Sequence, residues 1–315
     1  SYTPFLNNEV LNKKSFLVKD FFSHYKKHFQ FTLHTPDSTL SAKIQEASLH
    51  RPGLALTGFT DVFSYQRVQI IGSTEWSFLE SVGQDKRKEC FAKLAQFKTP
   101  LWVLTHGLEP HQEMVEMCIE KNEPLLVTAK PTMEFMGSLQ DLLDEYFAPY
   151  MPVHASLVDV YGVGMLYVGD SNIGKSECVL DLVERGHRFV ADDMVRLSKK
   201  GNSIVGRSNH VINHHMEIRG IGIIDIKTMF GIHAVRKIKK VEIVVQLQHW
   251  QKDVKYERMG LDQTHIDIMG VSTPKVVIPI TPGKNLTVIS EVVAMNALMK
   301  MNGIDTAAEF NKNLI

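Results

Sequence analysis

The sequence predicts an α/β protein in two parts, an N-terminal α/β domain over residues 1–148 and a C-terminal α/β domain over residues 149–315. Three observations carry that expectation. The chain has 315 residues, about twice the length of an ordinary domain. Short apolar runs alternate with stretches of helical periodicity. Pro149 and Pro152 then interrupt the chain after the acidic and apolar run Leu139 to Tyr146, and two prolines so close disfavour a helix and stiffen a connector.

Composition narrows the function. Hydrophobic residues at 44% and charged residues at 22% are globular values, which exclude a disordered or fibrous chain. Lys and Arg total 35 against 35 for Asp and Glu, so the global basic excess that favours nucleic acid or an anionic membrane is lacking. The three cysteines, Cys90, Cys118 and Cys178, form no C-x-x-C pair and fit a reducing compartment. No apolar stretch reaches the ~18 residues of a membrane span, and the first residues lack a charged segment followed by an apolar one. The expectation is a cytoplasmic protein with no nucleic-acid partner and no membrane partner.

In the first domain, Val68 to Ile71 ends at Gly72 and Pro100 to Thr105 is closed by Gly107, both reading as buried strands. Between them Leu79 to Phe97 reads as one or two amphipathic helices, and Pro110 to Lys121 as another, with Met114, Val115 and Cys118 at helical spacing. No phosphate-binding or metal-ligand motif occurs in this half, which leaves it without a task.

The second domain opens with His154, then Leu157 to Tyr161, Gly162, and Val163 to Val168, read as two strands joined by a turn. Directly after comes Gly169, Asp170, Ser171, Asn172, Ile173, Gly174, Lys175, Ser176, which satisfies the G-x-x-x-x-G-K-[ST] phosphate loop. Its context is right. A strand precedes it, and Lys175 to Arg185 follows as a helix with Val179, Leu182 and Val183 on one face, stopped at Gly186. Glycines let the backbone close on an oxyanion, and the exposed amides and helix dipole favour negative charge there. Lys175 would neutralise the terminal phosphates, and Ser176 would ligate Mg²⁺. Asn172 stands in a slot where glycine is expected, and Asn is the residue that best tolerates positive φ after glycine.

A short strand, Phe189 to Ala191, ends in Asp192 and Asp193. A carboxylate at a strand tip beside a phosphate loop can hold Mg²⁺ while its neighbour takes the proton of the attacking group; a solvated turn is the plain alternative. Glu217 to Asp225, where glycines interrupt a strand, is weak evidence alone, although Glu217 could supply a metal oxygen. His210, His214 and His215 read as a polar surface segment rather than a zinc site, and Arg236, Lys237, Lys239 and Lys240 as a solvated face. Val288 to Met301 reads as a Met-rich amphipathic helix stopped by Gly303.

With these residues in view, the chain resembles the bacterial HPr kinase/phosphorylase family. The matching stretches are Arg51 to Leu54, Gly58-Phe59, Arg67 to Gly72 with Glu75, Pro124 to Leu126, His154, Val158 to Gly164, the phosphate loop, Gly186 to Arg188, Ala191 to Asp193, Glu217 to Asp225, Tyr256 to Gly260 and Pro279 to Asn285. Their order is more specific than any one motif.

The resemblance implies a C-terminal P-loop kinase domain related in fold to phosphoenolpyruvate carboxykinase and a homohexamer. It implies ATP or pyrophosphate as phosphoryl donor, Mg²⁺ as cofactor and the phosphocarrier protein HPr as partner. On the matching positions, Asp193 takes the proton of the HPr serine and returns one in the reverse reaction, with Asp192 in support. Lys175 and the amides of Gly169 to Ser176 hold the phosphates, Ser176 and Glu217 bind the metal, and His154 and Arg258 position the phosphoryl group. Pro279, Ile280, Thr281, Pro282, Gly283 and Lys284 match the stretch linked to dephosphorylation but lack its two arginines, and with them two guanidinium forks for gripping phosphate. Two other readings fit the loop alone: a small-molecule or carboxykinase-like kinase, and a nucleotide-sensing regulator without catalysis.

Overall fold

The computed structural model describes residues 5, 8–209, 214–253 and 264–304. It resolves into two units, Asn12–Ala148 and, together, Ser1–Leu11 with Pro149–Ile315. Leu11 joins the second unit because its backbone exchanges two hydrogen bonds with Tyr150, at 2.7 and 2.9 Å.

The first unit is built on strands β1 (Phe31–Leu33), β2 (Leu49–His50), β3 (Val68–Ile71), β4 (Trp102–Leu104) and β5 (Leu125–Thr128), in the order β1-β5-β4-β3-β2. All neighbours are parallel except β1 on β5. Side chains alternate across it with the two-residue strand period. Ile70, Val103 and Leu126 join a core with Phe21, Phe29 and Phe135, while Ile71, Trp102, Leu104 and Leu125 join a second with Leu79 and Phe91. Both faces are therefore covered, as mainly parallel sheets require.

The helices of this unit include α1 (Val18–Phe29), α2 (Ser73–Val82), α3 (Gln84–Leu94), α4 (Gln112–Glu120) and α5 (Thr132–Phe147). The helical region expected from Leu79 begins earlier, at Ser73, because the Glu75 carboxylate accepts from the Gly72 N–H at 3.0 Å and caps the first turn. It is split at Gly83, whose φ of 78° ends one helix and lets the next begin.

The second unit carries two sheets. Strands β6 (Tyr150–His154), β7 (Ser156–Val160) and β8 (Val163–Val168) precede α6 (Lys175–Glu184). Then follow β9 (Arg188–Ala191), β10 (Met194–Lys200), β11 (Ser203–Ser208), β12 (His215–Ile218), β13 (Gly222–Asp225), α7 (Ile226–Phe230), β14 (Ile238–Lys240), β15 (Ile243–His249), β16 (Thr264–Ile268), β17 (Val271–Ile280) and α8 (Leu286–Met301). One sheet runs β9-β7-β8-β15-β17-β16, the other β14-β11-β10-β6, and β12 and β13 form a hairpin.

Alternation along β8 sorts the layers. Val163, Met165 and Tyr167 face a core shared with Val179, Leu182, Val293 and Ala294 of α6 and α8. Leu166 and Val168 face the second sheet through Val153, Val195 and Leu197. The unit is thus helices, a six-stranded sheet and a four-stranded sheet. Tyr161 and Gly162, at φ 52° and 85°, close the β7–β8 hairpin. α8 starts at Leu286, two residues before the expected Val288, because the Asn285 side chain accepts from the Val288 N–H at 3.2 Å.

Two expectations about polar segments are corrected. His214 is buried rather than on the surface, with its backbone carbonyl tied to the Ile226 N–H; His210 lies outside the described residues. The basic run is not a simple solvated face, since Lys239 is buried against Glu242 at 3.2 Å and Arg236 reaches Asp159 at 3.0 Å. Among the described residues, no helix is long and apolar enough to cross a membrane.

Candidate active site

The phosphate loop lies at the C-terminal end of β8 and ends on the second residue of α6. Three of its positions need unusual backbone: Gly169, Asn172 and Gly174 stand at φ 154°, 70° and 104°. Asn172 therefore performs the conformational work of the glycine it replaces. Gly169 is also needed for space, because a Cβ there would lie 2.7 Å from the Leu247 carbonyl oxygen.

Lys175 is buried, and its Nζ donates to the carbonyls of Gly169 and Asp170, each at 2.8 Å. Two of the three ammonium donors thus brace the loop and one remains for a ligand. Burial pushes the pKa of this ammonium down, and the carboxylates of Asp192, Asp170, Asp193 and Glu177 work in the opposite direction.

Next to the loop, β9 delivers Asp192 and Asp193, which differ sharply. Asp192 is buried; its Oδ2 accepts from the Ser176 hydroxyl at 2.8 Å and its Oδ1 from the Ser156 hydroxyl. Burial raises its pKa, against the opposing pull of those two hydroxyls. Asp193 is exposed, with Oδ1 3.3 Å from His154 Nδ1. Its φ of 65° is costly for a non-glycine residue. The turn is held by Ala155 N–H to the Asp193 carbonyl at 3.2 Å and Met194 N–H to the Asp192 carbonyl at 2.8 Å. One acid is fixed and enclosed while the other is free to meet solvent or a substrate.

His154, Lys175, Ser176, Asp192, Asp193 and Glu217 line one cavity of about 260 Å³. Ser171, Asn172 and Gly174 of the loop line it too, while Ile173 turns into the core. Sequence reasoning missed two contributors. Ser156, inside β7, looked like an ordinary strand serine and is the buried donor to Asp192. Arg219 stands in the turn just after β12, two residues beyond Glu217, and lines the same cavity. Arg258 lies outside the described residues. Pro279, Ile280, Thr281 and Lys284 line a different cavity, on the far flank of the loop.

The oxygens of Ser176, Asp192 and Glu217 form a hard donor set, suited to Mg²⁺ that keeps water and phosphate among its ligands. Among the described residues, no group of three His, Cys, Asp or Glu side chains is placed to hold a metal unaided.

Comparison with known proteins gives a consistent picture. Residues 17–143 match the family model described as HPr Serine kinase N terminus, and residues 145–314 the one described as HPr Serine kinase C-terminal domain. A protein of Chloroherpeton thalassium named HPr kinase/phosphorylase is 45% identical, covering 96% of this chain and 90% of that protein. One of Chlorobium phaeovibrioides with the same name is 44% identical, covering 96% and 93%. A solved structure of the Hpr(Ser) kinase/phosphatase from Coxiella burnetii is 34% identical, covers 50% of this chain and 97% of its own, and superposes with a TM-score of 0.46.

Proposed function

The chain belongs to the HPr kinase/phosphorylase family, and we propose from that premise that it phosphorylates a serine of HPr with ATP and removes the phosphate by phosphorolysis. The observation that carries this reading is the single cavity in which a phosphate loop faces both an enclosed and an exposed carboxylate.

In the forward direction the loop amides and Lys175 hold the phosphate tail of the donor. Ser176, with Asp192 behind it, and Glu217 would hold Mg²⁺, which when bound neutralises charge developing on the phosphate oxygens. The serine oxygen of HPr attacks the terminal phosphorus, the bond to the bridging oxygen breaks, and the serine proton passes to the Asp193 carboxylate. His154 contributes through its 3.3 Å approach to Asp193, which orients that carboxylate. Arg219, and Arg258 as the resemblance implies, add positive charge for the transferring group. In reverse, a phosphate oxygen attacks the phosphoserine phosphorus, protonated Asp193 gives its proton to the departing serine oxygen, and pyrophosphate leaves.

Pyrophosphate as an alternative donor follows from that reversal. The stretch Pro279–Lys284 would serve the phosphorolytic direction, with Lys284 as its cation. Domain limits at residues 148 and 149, from the break at Pro149 and Pro152, and a cytoplasmic location, from composition, complete the proposal, with a carboxykinase-related kinase fold and a homohexamer on the strength of the family resemblance.

Incubation with HPr, ATP and Mg²⁺, followed by excess phosphate, tests it by mass spectrometry. Phosphoserine should appear and then disappear as pyrophosphate accumulates. Absence of phosphoserine, with transfer to a small acceptor instead, would leave a small-molecule kinase.

A further inference from the structure

Two non-glycine residues with left-handed backbone line the catalytic cavity, Asn172 at φ 70° and Asp193 at φ 65°. Such conformations are costly and gather where a side chain has work to do. Asp193 has its task as the proton acceptor. The Asn172 side chain has none so far: the loop uses its backbone, and a glycine would supply that backbone at no steric cost.

Local geometry fixes where this side chain is carried. The Ile173 N–H donates to the Asp170 carbonyl at 3.3 Å, closing a four-residue turn in which Asn172 is third, the position where positive φ calls for glycine or asparagine. Ile173 is anchored in the core behind the turn, and Lys175 Nζ braces the loop through the carbonyls of Gly169 and Asp170. Asn172 is thus mounted on a fixed platform. It is exposed, and among the described residues its carboxamide has no hydrogen-bond partner.

The cavity is short of donors for a phosphoryl group. Asp192, Asp193, Glu177 and Glu217 surround it with carboxylates. Two of the three N–H groups of Lys175 are taken by carbonyls, which leaves one, together with the Arg219 guanidinium. A carboxamide brings two N–H donors and, being neutral, forms no ion pair with the acids around it.

We propose that the Asn172 carboxamide is a catalytic group that donates to an oxygen of the phosphoryl group as it passes between donor and serine. The inference rests on the proposed transfer to HPr. A preorganised donor aimed at developing charge acts on the transition state more than on the bound substrate. The transferring group is the same in both directions, so the donor serves phosphorylation and phosphorolysis alike.

The test compares Asn172→Gly, which keeps the turn and deletes the carboxamide, with Asn172→Asp, which keeps the shape and the tolerance of positive φ but sets a carboxylate against the phosphate. Each full-length protein is assayed with HPr, ATP and Mg²⁺ for kcat and KM, then with excess phosphate, and melted thermally. In Asn172→Gly, kcat should fall about tenfold or more in both directions, with KM for ATP near the parent value and no loss of melting temperature; Asn172→Asp should be slower still. Parent kcat in Asn172→Gly, a loss confined to KM, or a loss that follows a lowered melting temperature overturns the inference and leaves Asn172 as a turn residue. An Asn172→Asp variant faster than Asn172→Gly overturns it as well. Absence of phosphoserine with the parent protein overturns the reading of function and the inference with it.

Discussion

The hydroxyl of Ser176 donates to Oδ2 of Asp192 across 2.8 Å, joining the last residue of the phosphate-loop motif to the acid at the tip of the neighbouring strand. The carboxylate is reached from the opposite side by Ser156. A buried carboxylate with both oxygens hydrogen-bonded has one orientation open to it, and the hydroxyl it holds is the one the loop offers to a cation.

Removing Ser156 tests that arrangement. Ser156→Ala leaves one buried carboxylate oxygen without its donor, and stability should fall by about 1–3 kcal/mol. Urea unfolding of the variant gives the number, and Ser156→Thr, which keeps the hydroxyl, should recover much of it. An unchanged midpoint in Ser156→Ala would mean that the contact contributes nothing.

The two acids should separate in their effects. Asp193→Asn removes the proton acceptor and is expected to lower phosphoryl transfer by about 10²–10⁴, while nucleotide binding measured by calorimetry stays near the parent value. Lys175→Ala removes a preorganised charge and should cost about 10² or more in turnover. Equal turnover in either variant would remove that residue from the chemistry.

Glu291 carries a pH prediction away from the site. Burial alone would raise its pKa, but hydrogen bonds from Tyr161, Arg185 and His187 outweigh this and hold the carboxyl below its ordinary value. A carboxyl depressed on folding contributes stability that is fully present above its unfolded pKa and lost as pH falls through the folded value. The melting temperature should therefore drop as pH is lowered below about 4.3, the ordinary glutamate value. Glu291→Gln should be less stable than the parent at neutral pH and show a shallower acid decline.

Gly164 has no room for a side chain, since a Cβ there would overlap the Lys240 carbonyl oxygen. Gly164→Ala should cost about 3 kcal/mol or more, at or beyond the usual upper end for overpacked cores, read as a lowered denaturation midpoint. Gly162→Ala, at a position with open space but φ 85°, should cost less.

All three cysteines are free and buried, and burial pushes the Cys178 thiol up to about 12. Alkylation by iodoacetamide near neutral pH should leave Cys178 unmodified in the folded protein and proceed in urea. Rapid labelling of the native chain would contradict the enclosed position.

Much of the site was legible because its residues are local in sequence. The loop, its flanking strand and helix, and the two aspartates fall within Val163 to Asp193, and each has a backbone signal that a reader of sequence can use. Ser156 was illegible for the opposite reason: its task depends on β7 pairing with both β8 and β9, a register that no local pattern announces. The early start of α2 was missed because its cap is a glycine read as a strand end, while the side chain that completes the cap lies three residues on. Burial of His214 depends on its ring contact with Phe189 of β9, and that of Lys239 on the pairing of β14 with β11, so neither could be read from a polar neighbourhood.

The paired backbones of Leu11 and Tyr150 have a consequence for anyone dividing this protein. Residues 12–148 leave and re-enter the other unit at adjoining points, so they form an inserted module rather than an appendage. A clone beginning at residue 149 would strip a neighbour from the rim strand β6 and leave raw amide and carbonyl groups at Tyr150, inviting self-association. Splicing a short glycine-serine bridge between residues 11 and 149 would preserve that seam.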